Sequence, residues 1–286
     1  VSNPVYNPFV IAVMVEFDEE IPNNPLTSGA GSFLDSLEIE MIWNQSGLDR
    51  CDGFILDRPP HDADYFNAQI QSLSNCFVVE SPYDSYGGIL KTDQEQVQIM
   101  KRRGGVGFDI SSIRPKGLAT SNAAKTTDGI GVFMERFSNS CREVAQGGRR
   151  GALMLTISVH HPDIETFIKI KRDLTKVTGA NISIRLTDEF MFAVENDENF
   201  ELRFPVDPDE ERVVSLETSA KDLWNDIIES AHASAEPGLL FWDNVLKYTP
   251  AQIYKDDGFN TVSTNPCSEI TLSAYDSCRL LLLNAT

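Results

Sequence analysis

No stretch of this chain approaches the roughly 20 consecutive apolar residues of a bilayer-spanning helix, and no basic flank followed by an apolar core marks a signal peptide. Basic residues are scarce: 24 Lys and Arg stand against 43 Asp and Glu, a net charge of −19, which argues against a surface given over to a nucleic-acid polymer. Cysteine is sparse and odd in number (Cys51, Cys76, Cys141, Cys267, Cys278), and no pair has the C-x-x-C spacing of a zinc knuckle. A chain of 286 residues buries a substantial core without disulfide staples. The expectation is a protein of a reducing cytoplasm, with no membrane segment and no metal site. It begins at Val1, which leaves a fragment, a processed product and one piece of a split protein all open.

The charge is unevenly spread. Residues 1–70 hold twelve acids and two bases, Arg50 and Arg58, whereas residues 99–150 hold ten bases and four acids. Apart from a strand candidate at Ile11–Val15, the acidic N-terminal region 1–70 resists assignment. From Leu73 the pattern is regular. Cys76–Val79 suits a buried strand, and Ile89, Leu90, Val97 and Met100 recur at helical spacing before Gly104-Gly105. Val106–Ile110 is the next strand, then a Pro115-Lys116-Gly117 turn, a polar loop over 119–127 and a helix over 131–144. Leu155, Ile157 and Val159 alternate with small polar residues; a helix from Pro162 to about Lys171 follows, then a strand through Ile182, Ile184 and Leu186. Thr187 is placed to cap a helix over 188–194. The acidic stretch 195–214 is expected to be irregular and exposed. Leu223, Trp224, Ile227, Ile228 and Ala231 mark a helical face stopped by Pro237-Gly238, with another helix over 243–248. Strands alternating with helices predict an α/β architecture.

The chemistry concentrates in Thr264-Asn265-Pro266-Cys267-Ser268-Glu269. If this segment is extended, the period of two places a carboxamide, a thiol and a carboxylate on one side. In isolation, a buried cysteine beside a solvated glutamate explains the match equally well. Further motifs change the balance: Ser72-Leu73-Ser74-Asn75-Cys76-Phe77, Arg103-Gly104-Gly105-Val106-Gly107-Phe108-Asp109, Ile113-Arg114-Pro115-Lys116-Gly117, Gln146-Gly147-Gly148-Arg149-Arg150-Gly151-Ala152 and Tyr275-Asp276-Ser277-Cys278-Arg279-Leu280. In these motifs and their order, residues 71–283 resemble the catalytic subunit of ribonucleotide reductases.

The resemblance implies an α/β fold forming part of a ten-stranded barrel of the ribonucleotide reductase type over residues 71–286, with a central loop bearing the radical cysteine. By resemblance Cys267 carries the thiyl radical, Glu269 is the general base and Asn265 holds the sugar hydroxyls, while Cys76 and Cys278 are the reducing dithiol. Ser74, Asn75, Gly105 and Arg150 would border the ribonucleotide substrate. Asp84, Ser85, Arg114, Lys116 and Gln146 would border a deoxynucleoside triphosphate or ATP effector at a homodimer interface. Similarity of residues 73–77 and 100–109 inclines toward the adenosylcobalamin-dependent form, the alternative being a radical delivered by a separate dimetal subunit. An external thiol such as thioredoxin would restore the dithiol. Neither Cys51 nor Cys141 falls on a family cysteine. The family's barrel continues past the Cys278 strand, so a complementary chain or segment is expected to complete it, and the isolated chain is expected to be inactive. The competing reading is a catalytically silent nucleotide-binding or assembly module derived from that core.

Overall fold

A computed structural model describes residues 39–40, 55–56, 74–144 and 151–279. The chain divides into two compact units, Val1–Gln69 and Ile70–Thr286. In the first, two short strands, β1 (Ile39–Glu40) and β2 (Ile55–Leu56), pair antiparallel. The strand expected at Ile11–Val15 lies outside the described residues.

The second unit is built on a six-stranded sheet. Its strands are β3 (Cys76–Val78), β4 (Gly105–Asp109), β5 (Leu153–Ser158), β6 (Asn181–Leu186), β9 (Gly238–Phe241) and β12 (Asp276–Cys278), in the order β12-β3-β4-β5-β6-β9. β3, β4, β5, β6 and β9 run parallel and β12 is antiparallel to β3. Parallel neighbours require long crossovers. They are supplied by α1 (Tyr86–Met100), α2 (Ile130–Glu143), α3 (Ile164–Lys169) and, between β6 and β9, α4 (Asp188–Asn196) and α5 (Ala220–Ser234); α6 (Trp242–Tyr248) follows β9. Ser85, Thr187 and Ser219 cap α1, α4 and α5 by accepting backbone N–H bonds.

Alternation along the strands makes two chemically different faces. Val106 and Phe108, Leu155 and Ile157, and Ile182 and Ile184 point to the helix side. There they share a core with Met134 and Phe137 of α2, Phe167 and Ile168 of α3, and Leu223 and Ile227 of α5. Phe108 meets Phe137 edge-on, with ring centroids 4.9 Å apart. Each such side chain contributes about 1.5–3 kcal/mol on burial. The opposite face carries small and polar groups: Gly105, Gly107 and Asp109 from β4, Thr156 and Ser158 from β5, and Ser183 and Arg185 from β6, of which all but Arg185 are also buried.

That second face is covered by the chain itself. β10 (Thr261–Thr264) and β11 (Thr271–Ser273) form an antiparallel hairpin, and β10 lies across β3, β4 and β5. Thr156 Oγ1 lies 2.8 Å from Ser263 Oγ and donates to Asp109 Oδ2 at 3.0 Å, while Arg185 donates to the Val262 carbonyl at 3.2 Å and to Ser111 Oγ at 3.2 Å. Arg185 Nε also sits 3.0 Å from Asp109 Oδ2, an ion pair without hydrogen-bond alignment, and the guanidinium stacks 4.7 Å from the Trp242 ring centroid.

Two expectations are corrected. Residues 195–214 are irregular mainly over 205–213, of which 207–213 are exposed as expected; β7 (Asn199–Phe204) pairs along its length with β8 (Val214–Ser219). Phe200, Leu202 and Phe204 recur with the period of a strand and are buried, a signal masked by the acids around them. Gly238 is not a helix stop but the first residue of β9, where a Cβ would lie 2.6 Å from Ser183 Oγ. The absent side chain is what lets β9 pair against β6.

Gly107→Ala would place a methyl 1.9 Å from the Thr264 carbonyl oxygen. It is expected to displace β10 and lower stability by about 1–3 kcal/mol, read from urea denaturation. His160 and His161 are both buried, and burial lowers both pKa values below the usual 6.5. His161 must stay neutral, since Nε2 donates to the Ile113 carbonyl at 2.8 Å while Nδ1 accepts from Asp163 N at 3.0 Å. With depressed folded-state values, their contribution is present above the unfolded pKa and lost as pH falls through the folded one. The urea midpoint should therefore decline from about pH 7 toward about pH 5.5.

Candidate active site

Three strands converge where β3 begins. Asn75 N donates to the Cys278 carbonyl at 3.3 Å, and Gly105 N donates to the Asn75 carbonyl at 2.8 Å, so one residue ties β12 and β4 to β3. Cys76 and Cys278 stand directly opposite each other in the antiparallel β3–β12 pair, both as free thiols. Directly opposed residues in such a pair have Cα atoms about 4.5–5.5 Å apart. That separation lies within disulfide reach. Asn75 is exposed and Ser74 half-buried at the same edge.

The hairpin delivers its tip to this edge. The segment 265–269 is not extended as expected but turns: the Asn265 carbonyl accepts from Ser268 N at 3.0 Å, and Ser268 adopts a left-handed φ of 65°. Asn265, Cys267 and Glu269 are consequently not aligned on one strand side. Asn265 is fully buried, its Oδ1 accepting from Thr264 Oγ1 at 3.2 Å and Ile270 N at 3.3 Å, whereas Cys267 and Glu269 are exposed. The turn arises because proline cannot extend the ladder and the buried amide substitutes for it. Among the described residues Asn265 Nδ2 is buried with no acceptor at good hydrogen-bond geometry, the Cys76 thiol being the polar group it bears on. An orphaned donor of this kind is costly unless a ligand satisfies it.

Electrostatics group the same side chains. Burial raises the Cys76 pKa above the usual thiol value; the Asn265 amide offsets this in part, and Cys267, Cys278 and Glu269 add to it. Burial also raises Cys278, with Glu269 and Cys267 adding to it. The exposed tip is thus close enough to bear on both strand thiols. The side of Gly105 where a Cβ would sit is filled by Pro266 Cγ at 2.9 Å and Cys76 Sγ at 3.3 Å. Cys141 is elsewhere, buried in the helix-side core, where burial alone lifts its thiol to about 11.

The second group of candidate residues lies at the opposite ends of β3 and β4. Ser85 Oγ accepts from Gly88 N at 3.0 Å as the cap of α1, and Asp84 binds Arg114 through the backbone N at 3.1 Å and Nε at 2.8 Å. Arg114 is therefore already charge-paired within the chain. Lys116 is exposed, with its backbone N held by both Asp163 carboxylate oxygens at 3.1 and 3.0 Å. Gln146 and Arg150 lie outside the described residues. Among the described residues no group of metal-ligating side chains is assembled, and no helix is long and apolar enough to cross a membrane.

Sequence reasoning missed the groups that seat the hairpin: Asp109, Thr156, Arg185, Ser263 and Asn181, whose Nδ2 donates to the Pro266 carbonyl at 2.9 Å. Their signal was the small polar alternation in otherwise apolar strands. It reads as a solvent face until the hairpin is known to cover it.

Comparison with known proteins bears on this arrangement. The sequence model of the ribonucleotide reductase barrel domain matches residues 74–284. The chain is 35% identical over 233 residues to a vitamin B12-dependent ribonucleoside-diphosphate reductase of Thermoplasma acidophilum, covering 80% of this chain and 29% of that protein. It is 32% identical over 215 residues to the Mycobacterium tuberculosis protein of the same name, covering 74% and 30%. A ribonucleoside-diphosphate reductase large subunit of Arabidopsis thaliana is 27% identical over 223 residues, covering 69% and 27%. The chain thus spans less than a third of each of these relatives. With strands, hairpin and thiols placed as described, and the match running from β3 through β12, the chain belongs to the ribonucleotide reductase family, as part of its barrel domain.

Proposed function

We propose that this segment carries the reacting groups for reduction of ribonucleotides to deoxyribonucleotides by thiyl-radical chemistry with a redox dithiol. The observation that supports it most is the cross-strand pairing of Cys76 with Cys278 beside a turn bearing Cys267 and Glu269. A thiyl radical on Cys267 takes the 3′ hydrogen atom of the ribose, the S–H bond formed being comparable in strength to the C–H bond broken. Glu269 accepts the 3′-hydroxyl proton as general base. The unsatisfied Asn265 Nδ2 is available to a sugar hydroxyl. The 2′-hydroxyl leaves as water with a proton from one thiol of the Cys76–Cys278 pair; as the pair closes to a disulfide it delivers a hydrogen atom to C2′ and an electron to the 3′ carbonyl, and Glu269 returns its proton to the 3′ oxygen. Cys267 then returns the hydrogen atom to C3′. The raised thiol pKa values favour this, because Cys76 and Cys278 stay protonated and able to donate.

The source of the radical is assigned from the B12-dependent relatives. Adenosylcobalamin, when bound, supplies the radical equivalent that Cys267 takes up. The residues fit that role, since Cys267 is the exposed one of the four described thiols and is open to a group outside the strands. Ser74, Asn75 and Gly105 would border the nucleotide, with Arg150 assigned by resemblance. Asp84, Ser85, Arg114, Lys116 and Gln146 would form an effector triphosphate site in a homodimer, a thioredoxin-type thiol would re-reduce the dithiol, and a further chain or segment would complete the barrel at the open edges β9 and β12.

With the barrel completed by that segment, Cys267→Ala is expected to abolish deoxyribonucleotide formation while leaving effector triphosphate binding unchanged. Binding lost together with activity would point to a structural role. Glu269→Gln should lower kcat on the order of a hundredfold with little change in KM, as for removal of a general base.

A further inference from the structure

We propose that Asn181 is a positioning residue that fixes the peptide leading into Cys267. Proline locks φ of residue 266 near about −65°, so the orientation of the following peptide rests on the single remaining rotation, ψ of Pro266. The Pro266 carbonyl reports that rotation, and it accepts a 2.9 Å hydrogen bond from Asn181 Nδ2, 85 residues away in sequence. The ring lies against β4, with Pro266 Cγ only 2.9 Å from where a Gly105 Cβ would be. Ring and carbonyl contacts together restrict how the chain leaves Pro266 toward Cys267.

Asn181 is suited to the task because its own backbone is fixed. It is the first residue of β6, in register with Met154 of β5. The next residue, Ile182, donates its N–H to Glu236 Oε1 at 3.2 Å, and Glu236 is itself ion-paired with Lys171. An amide on an anchored strand sets geometry more tightly than one on a loop. The consequence for hydrogen-atom transfer rests on the reading of Cys267 as the reactive thiol; the positioning itself does not.

The test uses the whole chain and no turnover. Native protein is treated with iodoacetamide, and the alkylation rates of Cys267 and of Cys141 are followed by peptide mass spectrometry for wild type, Asn181→Ala and Asn181→Asp. Asp is near-isosteric but presents an acceptor to an acceptor. Both variants should alkylate at Cys267 about three to ten times faster, the factor for losing one neutral hydrogen bond. The Cys141 rate, which reports opening of the helix-side core, should not change, and the urea midpoint should fall by no more than the loss of one hydrogen bond implies. A Cys267 rate equal to or slower than wild type overturns the proposal, and so does a joint rise at Cys267 and Cys141 with a lowered midpoint. Failure here leaves the radical assignment to be decided by Cys267→Ala, and failure there leaves the positioning result intact.

Discussion

The Thr264 carbonyl occupies the space that a side chain at Gly107 would need, 1.9 Å from the position of its Cβ. Everything else about the site depends on that close approach. With any larger residue at position 107, β10 could not lie on the sheet as it does, and its tip could not reach the start of β3. The same strand therefore serves two purposes by alternation. Val106 and Phe108 hold the helices, while Gly105 and Gly107 leave room for the hairpin.

Polar chemistry on the covered face follows from the same constraint. Where the hairpin crosses, its backbone and hydroxyls need partners, and Thr156, Arg185 and Asn181 provide them, with Asp109 behind them bonded to Thr156 and paired with Arg185. A buried Arg–Asp pair is weak evidence for stability on its own, because desolvation opposes the attraction. Here Arg185 and Asp109 specify where β10 lies, which an apolar face would leave free to slide. Hairpin position, and with it the relation of Cys267 to the strand thiols, is thus set by directional contacts together with a small apolar cluster in which Leu272 and Val262 pack with Val78 and Cys278.

Much of this was legible in the sequence, for physical reasons that differ by region. The helix-side strands and α1, α2, α4 and α5 announce themselves through apolar periodicity and, for α4, through the cap Thr187, both local properties. Cys76, Cys267 and Cys278 were legible as motifs, but their convergence was not, since it depends on the pairing of β12 with β3 across two hundred residues of chain. Local reasoning failed at residues 265–269, where alternation suggested a strand. The inward rotation of Asn265 is a tertiary choice made by Ile270 N and Thr264 Oγ1. It failed again at Phe200, Leu202 and Phe204, where acidic neighbours hid a strand's period. At the candidate effector residues, resemblance placed Arg114 beside a phosphate, and only the folded chain brings it to its partner Asp84.

The claim on which the site rests is that Cys76 and Cys278 form one redox pair on adjacent strands. Mild oxidation of the native chain with diamide, followed by non-reducing peptide mapping, tests it most directly. The predicted result is a Cys76–Cys278 linked peptide forming ahead of any other, with Cys141 still reduced. Cys76 and Cys278 remaining unlinked while other cysteines pair, or either one linking first to Cys141, would contradict it.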